Sequence, residues 1–214
     1  MIRPSDLLAR RCRWPPVNAR YLSLREIELM KRLDHPNVIK MFEVFRDDDN
    51  IYMILELCMG GELEEVLGDM PELATQGGGL PPMVPRFPEA RAKTLISDML
   101  AALSYIHANG IVHRDIKLEN YVFSGPGPGE GIIKMIDFGL SRAALDGDTM
   151  TQDVGSLVYK APEISSGSYT ELSDLWSFGM VVRSHRVVAS YHLIVLASHL
   201  FRTASSPHAE DRCC

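Results

Sequence analysis

The chain has 214 residues, enough for one domain with a sizeable core or slightly more than one. Apolar residues make up 46% and charged residues 23%, which excludes a wholly disordered, collagenous or fibrous protein. Lys and Arg number 22 and Asp and Glu number 28, so the net charge is −6 and no nucleic-acid partner is expected.

The first part of the chain predicts a helix followed by a hairpin. Residues 1–19 show no periodicity, so no element is assigned there. Residues 22–33 carry apolar side chains at three- and four-residue steps, which indicates an amphipathic helix. The runs 38–45 and 51–57 predict two strands, joined by the polar turn 46–50.

The middle of the chain predicts a long helix and small strands. Residues 62–67 are typical of a short helix, and the stretch 71–88, rich in Gly and Pro, predicts an irregular insertion. From 88 to 109 the apolar positions keep a helical period, and short strand-like runs follow at 121–123 and 132–136. A large helix beside small strands indicates an α+β domain whose loops carry the chemistry.

The cysteines and the apolar runs indicate the cellular compartment of the protein. Cys12, Cys58, Cys213 and Cys214 have a spacing that fits neither a zinc site nor a disulfide framework, which is typical of a reducing cytosol. The longest apolar run, 187–201, falls short of the roughly 20 residues that span a bilayer. We therefore expect a cytoplasmic protein without a membrane partner.

Two motifs carry the chemistry: HRDIKLEN at 113–120 and IDFGLS at 136–141. Supporting matches stand in the expected order, namely REIELM with HPN at 25–37, LELCMGGEL at 55–63, GSLVYKAPE at 155–163 and SDLWSFG at 173–179. With these motifs the chain resembles the eukaryotic protein kinase domain, in the style of the calcium/calmodulin-dependent and calcium-dependent kinases. The resemblance implies an α+β, partial two-lobed kinase fold.

The resemblance also divides the chain. It implies a partial kinase domain at 22–182, with a small-lobe remnant at 22–57, a hinge at 56–62 and a large lobe at 63–182. The segments 1–21 and 183–214 remain unassigned. The match stops at both ends of the domain, and a truncated gene model and a real splice form both account for this.

The resemblance assigns the transfer chemistry to four residues. It implies that Asp115 orients the attacking hydroxyl and accepts its proton, and that Lys117 places its ammonium on the transferring phosphate. It implies that Asn120 and Asp137 supply hard oxygen ligands for Mg²⁺ held against the phosphates of ATP. As isolated side chains, these residues would more often cap a loop or face solvent.

The nucleotide base has its own implied contacts. By the resemblance, Leu55 is the gatekeeper, the backbones of Glu56 and Cys58 face the adenine edge, and Val122 lies under the ring. A buried strand without function would have a similar local pattern.

The set of residues that would contact the nucleotide phosphates is less complete. Glu26 resembles the helix glutamate that pairs with a strand lysine, but the lysines before residue 60 are Lys31 and Lys40, and both follow Glu26. No glycine precedes Gly60, so a Gly-rich loop over the phosphates has no counterpart. We therefore expect the first strands of the small lobe to be missing.

Substrate class follows from the same resemblance. Lys117 after His-Arg-Asp, and Ser156 before Ala-Pro-Glu, imply a serine/threonine kinase that transfers the γ-phosphoryl group of ATP to protein substrates. Glu62 and Glu119 match acidic positions that meet basic residues upstream of the phosphoacceptor. We therefore expect protein substrates with basic residues near the target hydroxyl.

Regulation by an upstream kinase is a further expectation. A phosphate on Thr149 or Thr151 would pair with Arg114 and order the loop, although unmodified polar loop residues would look the same.

A non-catalytic, pseudokinase-like interaction module is the competing interpretation. The missing Gly-rich loop and lysine favour it, whereas Asp115, Lys117, Asn120 and Asp137 favour an enzyme. We expect this chain by itself to be weakly active or inactive.

Overall fold

The computed structural model describes residues 7–13, 17–47, 50–68, 87–144 and 148–183. Its smaller part is one helix, α1 (Val17–Met30), with a three-stranded antiparallel sheet in the order β1 (Leu7–Arg13), β3 (Asn50–Glu56) and β2 (Met41–Arg46). The predicted hairpin of two strands is confirmed as β2 and β3.

Strand β1 was not expected from the sequence. All seven of its residues pair with β3, from Leu7 opposite Glu56 to Arg13 opposite Asn50. Its sequence, LLARRCR, places arginines in both alternating rows, so it shows no apolar alternation. The apolar central strand supplies the pairing partner, and this tertiary context overrides the local pattern. The structure therefore describes a strand within the segment 1–21 that the sequence analysis left unassigned.

Helix α1 begins at Val17 and ends at Met30, earlier at both ends than the predicted 22–33. Its buried residues Ile27 and Met30 belong to one apolar cluster with Ile51 and Met53 of β3. The C-terminal half of the helix and the central strand therefore contribute to the same apolar core.

The segment 36–40 joins the two parts of the molecule. Asn37 donates its side-chain amide to the Ile133 carbonyl at 2.9 Å, and the Ile39 N–H donates to the Met135 carbonyl at 2.9 Å. Val38 makes a single parallel bridge to Met135, so strand β2 begins at Met41 rather than at the predicted residue 38.

The larger part is mainly helical. Its helices are α2 (Leu63–Leu67), α3 (Glu89–Ala108), α4 (Pro162–Ser165) and α5 (Leu172–Arg183). Two small antiparallel ladders pair β4 (Ile111–Val112) with β7 (Arg142–Ala143), and β5 (Tyr121–Phe123) with β6 (Ile133–Met135). The predicted α2, the long helix α3 and the strands around the Gly/Pro loop are confirmed.

Helix α3 supplies much of the core. Leu95, Leu103 and Ile106 have no exposed surface, because their helical spacing turns them to one face. Nearly all of the predicted insertion 71–88 and the tail 184–214 lie outside the described residues. Within the described ranges, no helix combines the length and the apolar character needed to cross a membrane.

Candidate active site

Asp115 lies on the loop between β4 and a 3₁₀ turn at Leu118–Asn120, at the centre of a polar cluster. Its Oδ1 accepts hydrogen bonds from Ser156 N–H at 3.0 Å and Ser156 Oγ at 2.8 Å. Lys117 Nζ lies 3.0 Å from Oδ2. Burial acts to raise the pKa of Asp115, but the bonds from Lys117 and Ser156 outweigh it and the pKa lies below its usual value. Asp115 is therefore held as a carboxylate.

Asp174 on α5 anchors the catalytic loop. Its carboxylate is 1% exposed and accepts the backbone N–H groups of His113 at 2.8 Å and Arg114 at 2.7 Å. His107 Nε2 lies 2.9 Å from the same carboxylate. Burial acts to raise the pKa of Asp174. The hydrogen bonds and charges of these partners lower it by more, so the pKa lies below its usual value.

The anchored loop is strained at Arg114. This residue has φ of 68°, in the left-handed region that ordinary side chains rarely adopt. Such a conformation costs about 1–3 kcal/mol and persists where its surroundings fix it. Gly155, with φ of 97°, packs so closely that a Cβ on it would lie 2.6 Å from the Arg114 carbonyl oxygen. The loop is therefore held by Asp174 on one side and by Gly155 on the other.

Asn120 and Asp137 are the proposed metal ligands, and each has part of its side chain fixed. Asn120 is buried and donates its amide nitrogen to the Asp115 carbonyl at 2.8 Å, which leaves the amide oxygen as a ligand atom. Asp137 has φ of 63°, and its Oδ1 accepts the Gly139 N–H at 3.2 Å. A carboxylate and an amide oxygen fit Mg²⁺, which takes few protein ligands and completes its shell with phosphate oxygens and water.

Glu26 lies near the same segment. A Cβ placed on Gly139 would be 3.9 Å from Glu26 Oε2 and 3.1 Å from Asp137 Oδ1. Glu26 of α1 and Asp137 therefore approach the same glycine from two parts of the chain. Glu26 therefore lies at the edge of the site, and its role toward the nucleotide stays a prediction.

The hinge residues lie where β3 ends. Leu55 is buried, and Glu56 and Cys58 are half-buried. Burial, followed by repulsion from Glu56, raises the pKa of the Cys58 thiol to about 11, so the thiol is neutral. Val122 is half-buried and makes an isolated bridge to Glu62, which brings β5 against the hinge.

The hinge also has a charged support that the sequence analysis missed. Lys134 of β6 has a side chain 8% exposed, and its Nζ lies 3.0 Å from Glu56 Oε2. The same ammonium donates to the Pro36 carbonyl at 2.7 Å. A lysine in an apolar strand run was the available signal, because such a residue is seldom buried without a partner.

Three arginines from separate parts of the chain, one of them on the catalytic loop, interact electrostatically. Burial lowers the pKa of Arg25, and repulsion from Arg114 and Arg142 lowers it further. Arg114 donates Nε to the Leu140 carbonyl at 2.7 Å and Nη1 to Gln152 Oε1 at 2.9 Å. The sequence analysis identified Arg114 alone; the positions of Arg25 beside Glu26 and of Arg142 just after IDFGLS were the signals for the others.

Comparisons with known proteins agree with this geometry. The family model described as "Protein kinase domain" matches residues 17–190. The chain is 37% identical over 158 residues to CDPK-related kinase 4 of Arabidopsis thaliana, covering 73% of this chain and 24% of that protein. It is 39% identical to calcium-dependent protein kinase 3 of Plasmodium yoelii yoelii, covering 73% and 27%.

A further relative is calcium/calmodulin-dependent serine/threonine-protein kinase 1 of Oryza sativa subsp. japonica, 34% identical over 74% of this chain and 25% of that protein. The chain thus spans about a quarter of the length of the curated relatives it matches. Since the family model covers most of the chain and its motif residues meet at one site, the chain belongs to the protein kinase domain family.

Proposed function

We propose that this domain serves a protein serine/threonine kinase that transfers the γ-phosphoryl group of ATP, with Mg²⁺, to a protein hydroxyl. The observation that carries the proposal is the contact of Asp115 with both Lys117 and Ser156. This arrangement sets a carboxylate for the acceptor hydroxyl next to an ammonium for the phosphate.

The acceptor side works through hydrogen bonding. Ser156 Oγ donates to Asp115 Oδ1 at 2.8 Å and lies 3.4 Å from Lys117 Nζ, so it ties the two catalytic groups together. An incoming hydroxyl would donate to the Asp115 carboxylate, which orients its oxygen and takes its proton as transfer proceeds. The Lys117 ammonium stabilises negative charge on the transferring phosphate.

The nucleotide side would be held by separate groups. Asn120 and Asp137 would hold Mg²⁺, which neutralises phosphate charge when bound. The backbones of Glu56 and Cys58 would bind the adenine edge, with Leu55 and Val122 forming apolar walls. Lys134, through its contact with the Glu56 carboxylate, would keep this part of the hinge in position.

Acidic residues near the site favour a basic substrate. Glu62 is half-buried at the end of the hinge, and Glu119 lies beside Lys117 in the catalytic loop. Glu119 Oε2 is buried and has no hydrogen-bond partner among the described residues. A guanidinium that binds such a carboxylate would stabilise it strongly, because a buried carboxylate oxygen without a hydrogen-bond partner is energetically costly.

A phosphorylated activation segment is the regulatory part of the proposal. Thr149 and Thr151 are exposed, and they flank Met150, which pairs with Tyr169. Phosphate on either threonine would find the cluster of Arg25, Arg114 and Arg142 nearby, and charge-assisted hydrogen bonds would fix the segment. An upstream kinase is the corresponding partner.

A radiolabel transfer assay tests the proposed function. The chain is incubated with labelled ATP, Mg²⁺ and a basic Ser/Thr peptide, and Asp115→Asn serves as the inactive variant. We expect slow labelling that Asp115→Asn abolishes. Equal labelling by both, or nucleotide binding without any transfer, would instead favour the pseudokinase-like module.

A further inference from the structure

Helix α5 turns an apolar side to solvent. Leu172 and Trp176 are 56% and 48% exposed, and Met180, four residues further along, is half-buried. Residues at four-residue steps lie on the same side of a helix. A Cβ placed on Gly179, which shares this side, would meet no described atom within 4 Å. We call Leu172, Trp176 and Met180 the α5 ridge, and among the described residues it has no complete cover.

The opposite side of α5 is already packed. Asp174, Phe178 and Val181 are 1%, 4% and 0% exposed. Ser177 donates its Oγ to the Tyr159 carbonyl at 2.8 Å, which fixes the segment before α4 against this side. Any further element that packs on α5 must therefore lie on the ridge.

The ridge has the character of an interaction surface. Single exposed apolar side chains are common on proteins, but neighbouring ones that form a patch mark a contact with another element or molecule. Leu172 and Trp176 are neighbours across one helical turn, and an indole is among the largest apolar groups that a side chain can bury. Covering this pair would remove apolar surface from water, which is the main favourable contribution to such packing.

The chain itself carries a segment that needs such a partner surface. Soon after α5, residues 187–201 have the sequence VVASYHLIVLASHLF, with no Asp, Glu, Lys or Arg. An uncharged apolar run exposed to water is costly, so it must pack against another apolar surface. As a helix this run would be about 22 Å long, close to the length of about 18 Å expected for the 12-residue α5.

The connection between α5 and this run is short. Residues 184–186 separate Arg183, the last residue of α5, from the start of the run. Two antiparallel helices are typically joined by a loop of about two to five residues. A connection of this length directs the run back along α5, and the ridge is the side of α5 that is left for it.

We propose that residues 187–201 form a helix that folds back antiparallel on α5 and covers the α5 ridge. A helix suits this position because it satisfies its own backbone hydrogen bonds, whereas a single strand laid on a helix would leave its backbone groups unpaired. The contact depends on neither nucleotide nor substrate. Because α5 carries Asp174, the cover also stabilises the helix that holds the catalytic loop.

Fluorescence of the full chain reports directly on the ridge. The two tryptophans are Trp14 and Trp176, so Trp14→Phe leaves Trp176 as the only indole, and acrylamide quenching measures its exposure. In this background, Leu193→Asp with Val195→Asp places carboxylates on opposite sides of the proposed helix, so at least one of them faces α5. Because an unpaired charge is costly to bury, we expect this double variant to raise the quenching constant of Trp176 at least about twofold.

Ser205→Asp with Ser206→Asp is the matched control. It adds the same charge to the same tail, outside the apolar run. We expect it to leave the quenching constant of Trp176 unchanged. An equal rise in the two double variants, or no rise in either, overturns the proposal.

Hydrogen exchange followed by mass spectrometry tests the contact from the side of α5. Leu172→Ser with Trp176→Ser removes most of the ridge, so the amides of 187–201 should exchange at least about tenfold faster while those of α3 keep their protection. The control is Leu157→Ser with Val158→Ser, which removes two apolar side chains that are 83% and 74% exposed away from the ridge. A run that is unprotected in the original chain, or that exchanges equally in both variants, overturns the proposal.

Two other occupants of the ridge would give different results. If a second copy of the chain covers it, quenching of Trp176 increases on dilution. If a lipid surface covers it, Trp176 becomes protected only when phosphatidylcholine vesicles are added. Either result overturns the proposal, whereas protection of Trp176 that is independent of both concentration and vesicles supports it.

Discussion

Replacing Asp174 with asparagine should destabilise the domain strongly without changing its shape. The carboxylate accepts two buried backbone N–H groups, from His113 and Arg114, and faces His107. Asparagine offers one acceptor oxygen, so one of the buried N–H groups would face an amide donor. An unsatisfied buried donor costs about 1–3 kcal/mol, and losing the charge weakens the remaining bonds, so we expect a loss of about 3–5 kcal/mol.

Denaturant unfolding followed by circular dichroism measures this loss. Asp153→Asn is the control, because Asp153 is 60% exposed and its pair with Lys160 lies at the surface. Such a pair contributes about 0–1 kcal/mol. A difference of less than about 1 kcal/mol between the two variants would show that Asp174 does not anchor the catalytic loop.

The pH dependence gives the same prediction an independent readout. The pKa of Asp174 is lowered in the folded state, so its stabilisation is complete above the unfolded pKa of about 3.9 and is lost as the pH falls through the folded pKa. The difference in unfolding free energy between the original chain and Asp174→Asn should stay constant from neutral pH down to about pH 5, then shrink below about pH 4. A difference that grows on acidification would refute the reasoning.

Three more substitutions test other contacts. Lys117→Ala removes a donor that lowers the pKa of Asp115, so that pKa should rise and the acid limb of the transfer rate should move to higher pH; an unmoved limb contradicts the contact. Lys134→Ala leaves the hinge carboxylate without its ammonium and should lower the unfolding free energy by about 2–3 kcal/mol, whereas a loss below about 1 kcal/mol would mean the pair is solvated. Gly155→Ala should cost about 2–4 kcal/mol because of its positive φ and its close contact, whereas Gly179→Ala, with open space in helix α5, should be neutral or slightly stabilising; equal melting temperatures would contradict this.

The residues of short motifs were predictable because the sequence itself brings them together. Asp115, Lys117 and Asn120 stand within one loop and its 3₁₀ turn, so their spacing fixes their proximity. The helical period of α3 was equally readable, since its apolar face is buried along its whole length. These are local signals that need no knowledge of the rest of the fold.

Long-range pairings were not predictable, because their residues are far apart in the sequence. Strand β1 pairs with a strand more than thirty residues away, and the alternation expected of a half-buried strand is broken by arginines in both rows. The cluster of Arg25, Arg114 and Arg142 draws its residues from three distant parts of the chain, so no window of sequence contains it.

The two halves of the candidate site have separate supports. The acceptor half, with Asp115, is fixed by Asp174 on α5 and by Ser156, all within the larger part of the molecule. The proposed nucleotide half would depend on the small sheet, through the hinge at the end of β3. A substitution at the hinge should therefore weaken nucleotide binding while the pKa of Asp115 and the stability of the catalytic loop stay unchanged. Binding and loop stability are thus separable measurements, and each identifies which half of the site a substitution has altered.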